Sequence, residues 1–211
     1  MIRRMTTVVV LADGPDRPLA IELPAGATVI AADGGAELGG HVDLVVGDLD
    51  SISAETLARI EHVERHPPDK DATDLELALL AALRLDPERI LVVGGAGGRL
   101  DHLLGGLLLL AADSLAHVRV DAQIGAAAAH VIRGERTLTG EPGELVSLFA
   151  VHGAAQGVVT EGLVYPLHGE TLEPGSTRGV SNVFATREAR VMLERGVLLA
   201  VRPTGSATAG S

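Results

Sequence analysis

The fold is decided by residues 43–51, which read Asp43-Leu44-Val45-Val46-Gly47-Asp48-Leu49-Asp50-Ser51 and place two carboxylates directly after a short aliphatic run. A brief run of this kind, ending at glycine and acid, is typical of a parallel strand that is buried on both faces. In an open α/β sheet, ligands bind at the carboxyl ends of such strands. The stretch therefore predicts a strand with a polar site at its end.

Similar runs surround this one and alternate with helical patterns. Strands are expected at Thr7–Ala12, Thr28–Ala32, Leu44–Val46 and Ile90–Val93, and helices at Ser53–Glu61, Ala72–Leu85 and Leu100–Ala112. This order predicts an α/β domain over residues 1–124 with an open, mostly parallel sheet. The longest apolar run, Leu103–Ala112, is about half of the roughly 20 residues that span a bilayer, so we interpret it as a buried helix.

The second half of the chain has a different sequence pattern, in which short apolar runs are separated by turns of Gly, Pro and charged residues. Strands are expected at Ala128–Arg133, Glu144–Ala150, Gly157–Glu161, Gly179–Phe184, Ala189–Leu193 and Val197–Arg202. Short strands at this spacing predict an all-β sandwich, which we place at residues 125–203 with a boundary near Asp121–Ala126. The small and polar residues 204–211 predict a disordered tail.

Composition excludes several classes of function. A net charge of −11 and an aromatic content of 1% argue against nucleic acid as a ligand. With no cysteine there is neither a disulfide framework nor a thiolate metal site, which fits a cytoplasmic protein. We see no export signal at the N-terminus and no membrane segment. Small-molecule substrates are the expected ligands.

Asp48 and Asp50 are the first candidates for chemistry. In an extended segment, residues two apart project to the same side, so the two carboxylates can share one cation. Mg²⁺ is the expected ion, because it takes hard oxygen ligands and keeps some positions for water and substrate phosphates. Alternatively, Asp50 and Ser51 are turn formers and helix caps.

A second acidic segment, residues 69–76, lies directly before the second predicted helix. Thr73 and Glu76 have capping-box spacing, which puts Asp74 in the first helical turn, where a carboxylate also stabilises the helix dipole. Lys70 is the only lysine of the chain and can bind a phosphate as a point charge. Both a structural and a functional interpretation of this segment stay open.

The glycine-rich turn Gly94–Gly98 and the residues after it form a third candidate. Glycines let backbone amides approach an anion at a helix N-terminus, and Arg99 adds a charged contact. Asp101 is either a further ligand or a helix cap, and His102 either orients it or is simply hydrogen-bonded inside the fold. Asp33 and Gly34 follow another strand and add a carboxylate at the same sheet edge.

In order and spacing, these segments resemble the thiamin pyrophosphokinase family from the first strand to about Arg202. The matching segments are Ala32–Ala36, Gly47–Ser51, Lys70–Glu76, Gly97–His102, Gly162–Leu167 and Gly179–Asn182. The resemblance implies transfer of a pyrophosphoryl group from ATP to the hydroxyethyl oxygen of thiamin, which gives thiamin diphosphate and AMP with Mg²⁺ as the metal.

The resemblance also implies roles for individual residues. It makes Asp48, Asp50 and Asp74 the metal ligands, with Asp33 and Asp71 beside the metal. The catalytic residues are then Lys70, Asp71 and Asp74, with Asp71 or Asp74 accepting the hydroxyl proton. It assigns the nucleotide to Asp33, Gly34, Lys70, Arg99, Asp101 and His102. Lys70 and Arg99 would offset the charge that develops as AMP leaves.

For the acceptor, the resemblance implies a homodimer whose thiamin site forms between subunits, with Ser181 and Asn182 contacting the pyrimidine. The second domain would then bind thiamin and mediate dimerisation. The sequence departs from the family pattern at Leu49, where an aromatic is usual, and at Val183, where an acid is common. It also has no tryptophan to stack on thiamin, so Phe184 or Tyr165 would take that role.

Two alternatives remain at this point. One is a related enzyme that passes pyrophosphate or phosphate to another alcohol, because the acceptor residues differ. The other is a dimeric ligand-binding module without turnover, although such a module has no reason to retain mutually repelling carboxylates.

Overall fold

The computed structural model describes residues 5–16 and 23–203 of the chain. The predicted tail, residues 204–211, lies outside the described residues. The described chain divides into two compact units. The first comprises the residues up to Leu109 together with His117–Gly125, and the second comprises Leu110–Ala116 together with the residues from Ala126 onward.

The described residues of the first unit form six strands. In chain order its elements are β1 (Thr7–Ala12), β2 (Thr28–Ala32), a 3-10 turn (Asp33–Leu38), β3 (Leu44–Gly47), α1 (Ala54–Leu57), β4 (His62–Arg65), α2 (Asp74–Leu83), β5 (Arg89–Gly94), α3 (Leu100–Leu109) and β6 (Arg119–Ile124). The strands lie in the order β6-β5-β1-β2-β3-β4, and every neighbouring pair is parallel. The α/β fold class is confirmed.

The central strands are buried along their length, which explains why they appear in the sequence as unbroken aliphatic runs. β1 is buried from Val8 to Ala12, and β2 from Val29 to Ala32. Val9, Leu11 and Val45 belong to one apolar cluster on this sheet. All of the strands run parallel, so their carboxyl ends meet at one edge, where Asp33 and Asp48 follow β2 and β3.

The helices differ from expectation in length and exposure. α1 covers only Ala54–Leu57 of the expected Ser53–Glu61, and α3 ends at Leu109. The expectation that the apolar run of α3 is buried is wrong. Leu100, Leu104 and Leu108 are 76%, 55% and 39% exposed, and their spacing of four places them on one face. The apolar composition of the segment predicted burial, but among the described residues nothing packs over this face of the helix.

Two strands of the first unit were not predicted. β4 is an edge strand with exposed residues, so its four residues give no aliphatic run. β6 carries Asp121, which is 2% exposed and forms ion pairs with Arg89 at 2.8 Å and Arg119 at 3.3 Å. In the sequence, a charged residue within this segment indicated a linker and not a buried strand. The arginines that neutralise its charge are known only from the tertiary structure.

The second unit consists of two antiparallel sheets. Its strands are β7 (Ala127–Ile132), β8 (Glu135–Thr139), β9 (Leu145–Ala150), β10 (Ala155–Glu161), β11 (His168–Leu172), β12 (Asn182–Val183), β13 (Glu188–Met192) and β14 (Leu198–Pro203). One sheet has the order β12-β9-β14-β7 and the other β11-β10-β13-β8. A single core cluster draws residues from both sheets, so the β-sandwich is confirmed.

β8 and β11 were not predicted, because each has only one buried residue and therefore little apolar alternation. The segment expected as a strand at Gly179–Phe184 pairs as a strand only at Asn182–Val183. The preceding residues instead form a turn that includes Ser181 at φ 57°.

Gly35 provides a test of how tightly the 3-10 turn packs on β1. A Cβ at this position would lie 2.2 Å from the backbone oxygen of Leu11, so backbone must move to accept it. We predict that Gly35→Ala destabilises the protein by about 1–3 kcal/mol. The control is Gly105→Ala in α3, where a Cβ meets nothing within 4 Å and helix propensity favours alanine by about 1 kcal/mol. Thermal unfolding followed by circular dichroism measures both, and equal melting temperatures would contradict the packing argument.

Candidate active site

Asp48 and Asp50 lie in a tight turn at the end of β3. Leu49, between them, adopts φ 68° and is only 9% exposed because it packs into the apolar cluster of the sheet. The backbone N–H of Asp50 donates to Asp48 Oδ1 at 3.3 Å. The two carboxylates are therefore brought together by a left-handed residue that points inward, and not by the alternation of an extended strand.

Asp33 is the buried member of the site. It begins the 3-10 turn after β2 and is 5% exposed. Its Oδ2 accepts a hydrogen bond from the backbone N–H of Ser51 at 3.2 Å, whereas Oδ1 is buried and has no hydrogen-bond partner among the described residues. Burial raises the pKa of Asp33, with smaller contributions in the same direction from Asp74 and Asp48, and outweighs the hydrogen bonds from Ser51.

The three carboxylates of Asp33, Asp48 and Asp50 converge. One oxygen from each lies within 4.8 Å of the others, which is close enough for a single cation to bind all three. Hard oxygen donors of this kind suit Mg²⁺. The buried and unpartnered Oδ1 of Asp33 is a second indication, because such an atom is costly unless a donor or a cation satisfies it. The residues present therefore fit a magnesium ion.

Lys70 and Asp74 flank this cluster. The Thr73 hydroxyl caps α2 by accepting from the N–H of Glu76 at 3.2 Å, which makes Asp74 the first residue of the helix. Lys70 Nζ lies 3.2 Å from Asp48 Oδ2 and 2.9 Å from Asp74 Oδ1. Its side chain is only 11% exposed. The lysine thus bridges the turn after β3 and the start of α2.

These ion pairs shift the pKa of both partners. The hydrogen bond from Lys70 is the largest cause that lowers the pKa of Asp48. Burial by itself would lower the pKa of Lys70, but Asp74 and Asp48 outweigh it, so the pKa is raised. Both groups are therefore held in their charged forms.

Gly47 explains how closely these elements approach. A Cβ on Gly47 would lie 2.9 Å from Asp33 Cβ and 2.9 Å from Asp74 Oδ1. Any other residue would push apart the turn after β2 and the start of α2. The glycine before the two aspartates is therefore required by the packing of the carboxylate site itself.

Not every residue predicted for the site joins the cluster. Arg99 and Asp101 form an exposed ion pair at 2.6 Å with each other, and Arg99 lowers the pKa of Asp101 to about 2. Among the described residues, no hydrogen bond or ion pair connects them to Asp48. His102 is exposed in α3, and Gly34 is buried in the 3-10 turn. Asp71 is exposed between Lys70 and α2.

Arg65 is a neighbour of the site that the sequence did not predict. It ends β4 opposite Gly47, and its Nη1 donates to the backbone oxygen of Asp48 at 3.2 Å. It thus places a second positive charge at the turn that carries the two aspartates. Arg65 was not predicted as a site residue because the strand that carries it, β4, was not predicted. Recognising β4 would have put Arg65 at the same sheet edge as the other candidates.

The residues predicted for the acceptor lie in the second unit and differ in their surroundings. Ser181 is exposed, and its backbone N–H donates to the Ser147 hydroxyl at 3.1 Å. Asn182 is 5% exposed and is hydrogen-bonded to the backbone of Tyr165. Of the two aromatic substitutes considered, Phe184 is 1% exposed, whereas Tyr165 is 60% exposed.

Two sequence models of known protein families match the chain. The model of the thiamin pyrophosphokinase catalytic domain matches residues 21–120. The model of the thiamin pyrophosphokinase vitamin B1 binding domain matches residues 129–198. The two matches follow each other along the chain in the order of the α/β unit and the β-sandwich.

Individual relatives agree with these models. The chain is 29% identical over 174 residues to a thiamine pyrophosphokinase of Bacillus subtilis, covering 75% of this chain and 77% of that protein. The crystal structure of a thiamine pyrophosphokinase from Bacillus subtilis superimposes with a TM-score of 0.82 at 27% identity, covering 94% of this chain and 99% of that one.

A more distant structure shows the same fold. The thiamin pyrophosphokinase of Candida albicans superimposes with a TM-score of 0.76 at 14% identity, covering 94% of this chain and 89% of that one. At that identity the match establishes architecture alone. The family rests on the two domain models, which together match most of the sequence in the correct order. The chain belongs to the thiamin pyrophosphokinase family.

Proposed function

We propose that this enzyme transfers a pyrophosphoryl group from ATP to the hydroxyethyl oxygen of thiamin. The hydroxyl oxygen forms a bond to the β-phosphorus of ATP, the bond between that phosphorus and the oxygen bridging to the α-phosphate breaks, and AMP leaves. The products are thiamin diphosphate and AMP. The observation that carries the proposal is the cluster of Asp33, Asp48 and Asp50, set beside Lys70 in a chain of this family.

We propose Asp33, Asp48 and Asp50 as ligands of Mg²⁺, with Asp74 beside them. The resemblance implied Asp48, Asp50 and Asp74 as ligands with Asp33 beside the metal, and the proximity of the Asp33 carboxylate to Asp48 and Asp50 supports Asp33 as a fourth candidate ligand. When bound, the ion neutralises phosphate charge and aligns the reacting groups. Without a cation, Lys70 pairs with two of these four carboxylates, those of Asp48 and Asp74, so the repulsion that remains among them favours uptake of positive charge.

The remaining side chains supply charge and a proton acceptor. Lys70 and Arg65 are the cations held beside Asp48, and each retains donors with which to contact phosphate oxygens. Arg99 is also proposed to contact phosphate. Its side chain is exposed and can exchange the ion pair with Asp101 for one with a phosphate group. Of the two proposed bases, Asp71 is favoured, because within the described chain no hydrogen bond or ion pair occupies it, whereas Asp74 is held by Lys70.

The enzyme is further proposed to form a homodimer with a thiamin site between subunits. The support for this dimer is the exposed face of α3, where Leu100, Leu104 and Leu108 form an apolar stripe on one side of a helix. Because α3 belongs to the first unit, the proposed interface involves that unit and not only the β-sandwich to which the resemblance assigned dimerisation. A second copy of the chain would cover this face.

The other proposed partners are the substrates ATP and thiamin. The cysteine-free composition fits a cytoplasmic place of action. No helix in the described part of the chain is long and apolar enough to cross a membrane.

Product analysis tests the reaction. Purified protein incubated with ATP, Mg²⁺ and thiamin should produce thiamin diphosphate and AMP in equal amounts. Formation of ADP would indicate ordinary phosphoryl transfer, and turnover only with another alcohol would indicate a different acceptor. Thiamin binding without any nucleotide product would favour the non-catalytic module.

Replacing one carboxylate of the cluster tests its role in the reaction. We predict that Asp48→Asn lowers kcat by at least about a hundredfold, because electrostatic stabilisation of phosphoryl transfer is worth several kcal/mol. Asp69→Asn is the matched control, since it removes one negative charge from the exposed loop before Lys70 without touching the cluster. Equal losses in the two variants would contradict a specific role for Asp48.

Metal binding can be measured without turnover. Mg²⁺ at 100 times its dissociation constant should stabilise the wild-type protein by about 2.7 kcal/mol in thermal unfolding. Asp50→Asn should lose this stabilisation while its metal-free form is at least as stable as wild type, because one repelling carboxylate is gone. Asp69→Asn should respond to Mg²⁺ as wild type does. A full Mg²⁺ response in Asp50→Asn would remove that residue from the ligand set.

The exposed face of α3 is tested by its effect on assembly. Light scattering after size exclusion should give a dimer for wild type and a monomer for the double variant Leu104→Glu and Leu108→Glu, because charged residues on a buried apolar interface are costly. Leu85→Glu is the control, since Leu85 is also an exposed leucine, at 52% exposure, but follows the end of α2 and is not part of α3. A monomeric wild type would refute the proposed dimer.

A further inference from the structure

Glu37 connects two parts of the first unit that carry residues of the carboxylate site. It lies in the 3-10 turn after β2, four residues after the buried Asp33. Its Oε1 accepts from the backbone N–H of Ser53 at 2.7 Å, and its Oε2 accepts from the Thr56 hydroxyl at 2.9 Å. Both donors belong to the segment that directly follows the turn with the two aspartates. Glu37 therefore joins the turn after β2 to the chain beyond β3.

The start of α1 shows why a glutamate is needed at this point. Ser53 is the N-cap of α1, and its hydroxyl accepts from the N–H of Thr56 at 3.2 Å. In a capping box, a Glu or Gln three residues after the N-cap accepts in return from the N–H of the N-cap residue. Here that third residue is Thr56, and the acceptor is supplied by Glu37, which lies 16 positions earlier. A helix of four residues is not stable by itself, so its start is fixed by this tertiary contact.

The same segment carries one carboxylate of the proposed metal site. Asp50 is exposed, and its Oδ1 accepts from the neighbouring hydroxyl of Ser51 at 2.8 Å. Without a cation, the carboxylates of Asp33 and Asp48 repel that of Asp50. The segment is attached to the 3-10 turn at two points, by the N–H of Ser51 to Asp33 and by its bonds to Glu37. These attachments oppose the repulsion.

Glu37 is not one of the carboxylates that converge. Among the described residues, the group close enough to share a cation consists of Asp33, Asp48 and Asp50. We infer that Glu37 is a positioning residue for metal binding, which holds the segment after β3 so that Asp50 stays within reach of the cation. The inference rests on the proposed function, which supplies Mg²⁺ as the ion.

Metal binding in the absence of substrates tests the inference. Without the bonds to Glu37, Asp50 is in place for only part of the time, and the apparent dissociation constant rises in inverse proportion to that fraction. We predict that Glu37→Ala weakens Mg²⁺ binding about tenfold, as is usual for residues that orient metal ligands. Isothermal titration calorimetry measures this at a temperature where circular dichroism shows the variant to be folded.

Glu55→Gln is the matched control for charge. Glu55 is an exposed glutamate of α1 that pairs with Arg59, so its replacement also removes one negative charge from this part of the chain. It should bind Mg²⁺ as wild type does. Equal Mg²⁺ affinities of wild type and folded Glu37→Ala would overturn the inference.

Glu37→Gln separates hydrogen bonding from charge. The amide oxygen can still accept from the N–H of Ser53, and the amide N–H can donate to Thr56, whose hydroxyl accepts as well as it donates. We therefore predict that Glu37→Gln retains a Mg²⁺ affinity near that of wild type. If Glu37 bound the cation itself, Glu37→Gln would be as damaging as Glu37→Ala, and that result would overturn its role as a positioning residue.

Excess metal should restore turnover in the alanine variant. At saturating Mg²⁺ the population in which Asp50 is in place becomes dominant, because the cation binds that population. The kcat of Glu37→Ala should then approach that of wild type, whereas half-maximal turnover should need about ten times more Mg²⁺. Asp48→Asn should keep its low kcat at every Mg²⁺ concentration. A low kcat of Glu37→Ala with an unchanged requirement for Mg²⁺ would overturn the inference.

A second pair of variants covers the case in which Glu37→Ala does not fold. Thr56→Val removes the hydroxyl that donates to Glu37, and Thr56→Ser retains it. Mg²⁺ affinity should fall only in Thr56→Val, and equal affinities of the two variants would overturn the inference. Failure of the wild-type enzyme to form thiamin diphosphate would refute the proposed reaction, whereas the Mg²⁺ affinities would still decide the role of Glu37.

Discussion

Electrostatic repulsion among carboxylates is the constraint on which the site depends. Asp33, Asp48 and Asp50 lie close enough to share a cation, and Asp74 shares Lys70 with Asp48. Groups of one sign remain together only when something opposes their repulsion. Here the opposing elements are the ammonium of the only lysine, a hydrogen bond from Ser51, and a sheet that fixes where its strands end.

The parallel sheet turns distant positions into neighbours. β2 and β3 are adjacent and parallel, so the residues that follow them emerge at one edge. Gly47 lets the start of α2 approach that edge, and the capping residue Thr73 sets where α2 begins. Burial of Leu49 then fixes the turn that brings Asp48 and Asp50 together. The packing of apolar groups thus controls the geometry of charged ones, which links the core to the proposed chemistry.

In the second unit, a buried polar residue holds the backbone of an exposed one. Asn182 is a buried polar group whose side-chain amide makes three hydrogen bonds, which makes it a rigid support. Tyr165 is 60% exposed, whereas Phe184 is 1% exposed, and the chain contains only three aromatic residues.

The sequence by itself determined the fold class, the family and the segments that carry chemistry. Unbroken aliphatic runs report strands buried on both faces, and the Thr73–Glu76 spacing reports the start of α2, because both depend on neighbours along the chain. The order of short motifs identified the family although no single motif was specific.

Tertiary structure alone decided the rest. It revealed β4 with Arg65, how closely Asp33 approaches Asp48 and Asp50, the exposed face of α3, and the hydrogen bonds of Asn182 to Tyr165. Each of these depends on contacts between residues far apart in sequence, such as the 17 positions between Tyr165 and Asn182. Local propensity and periodicity carry no information about such pairs, because burial and partnership are properties of the packed chain.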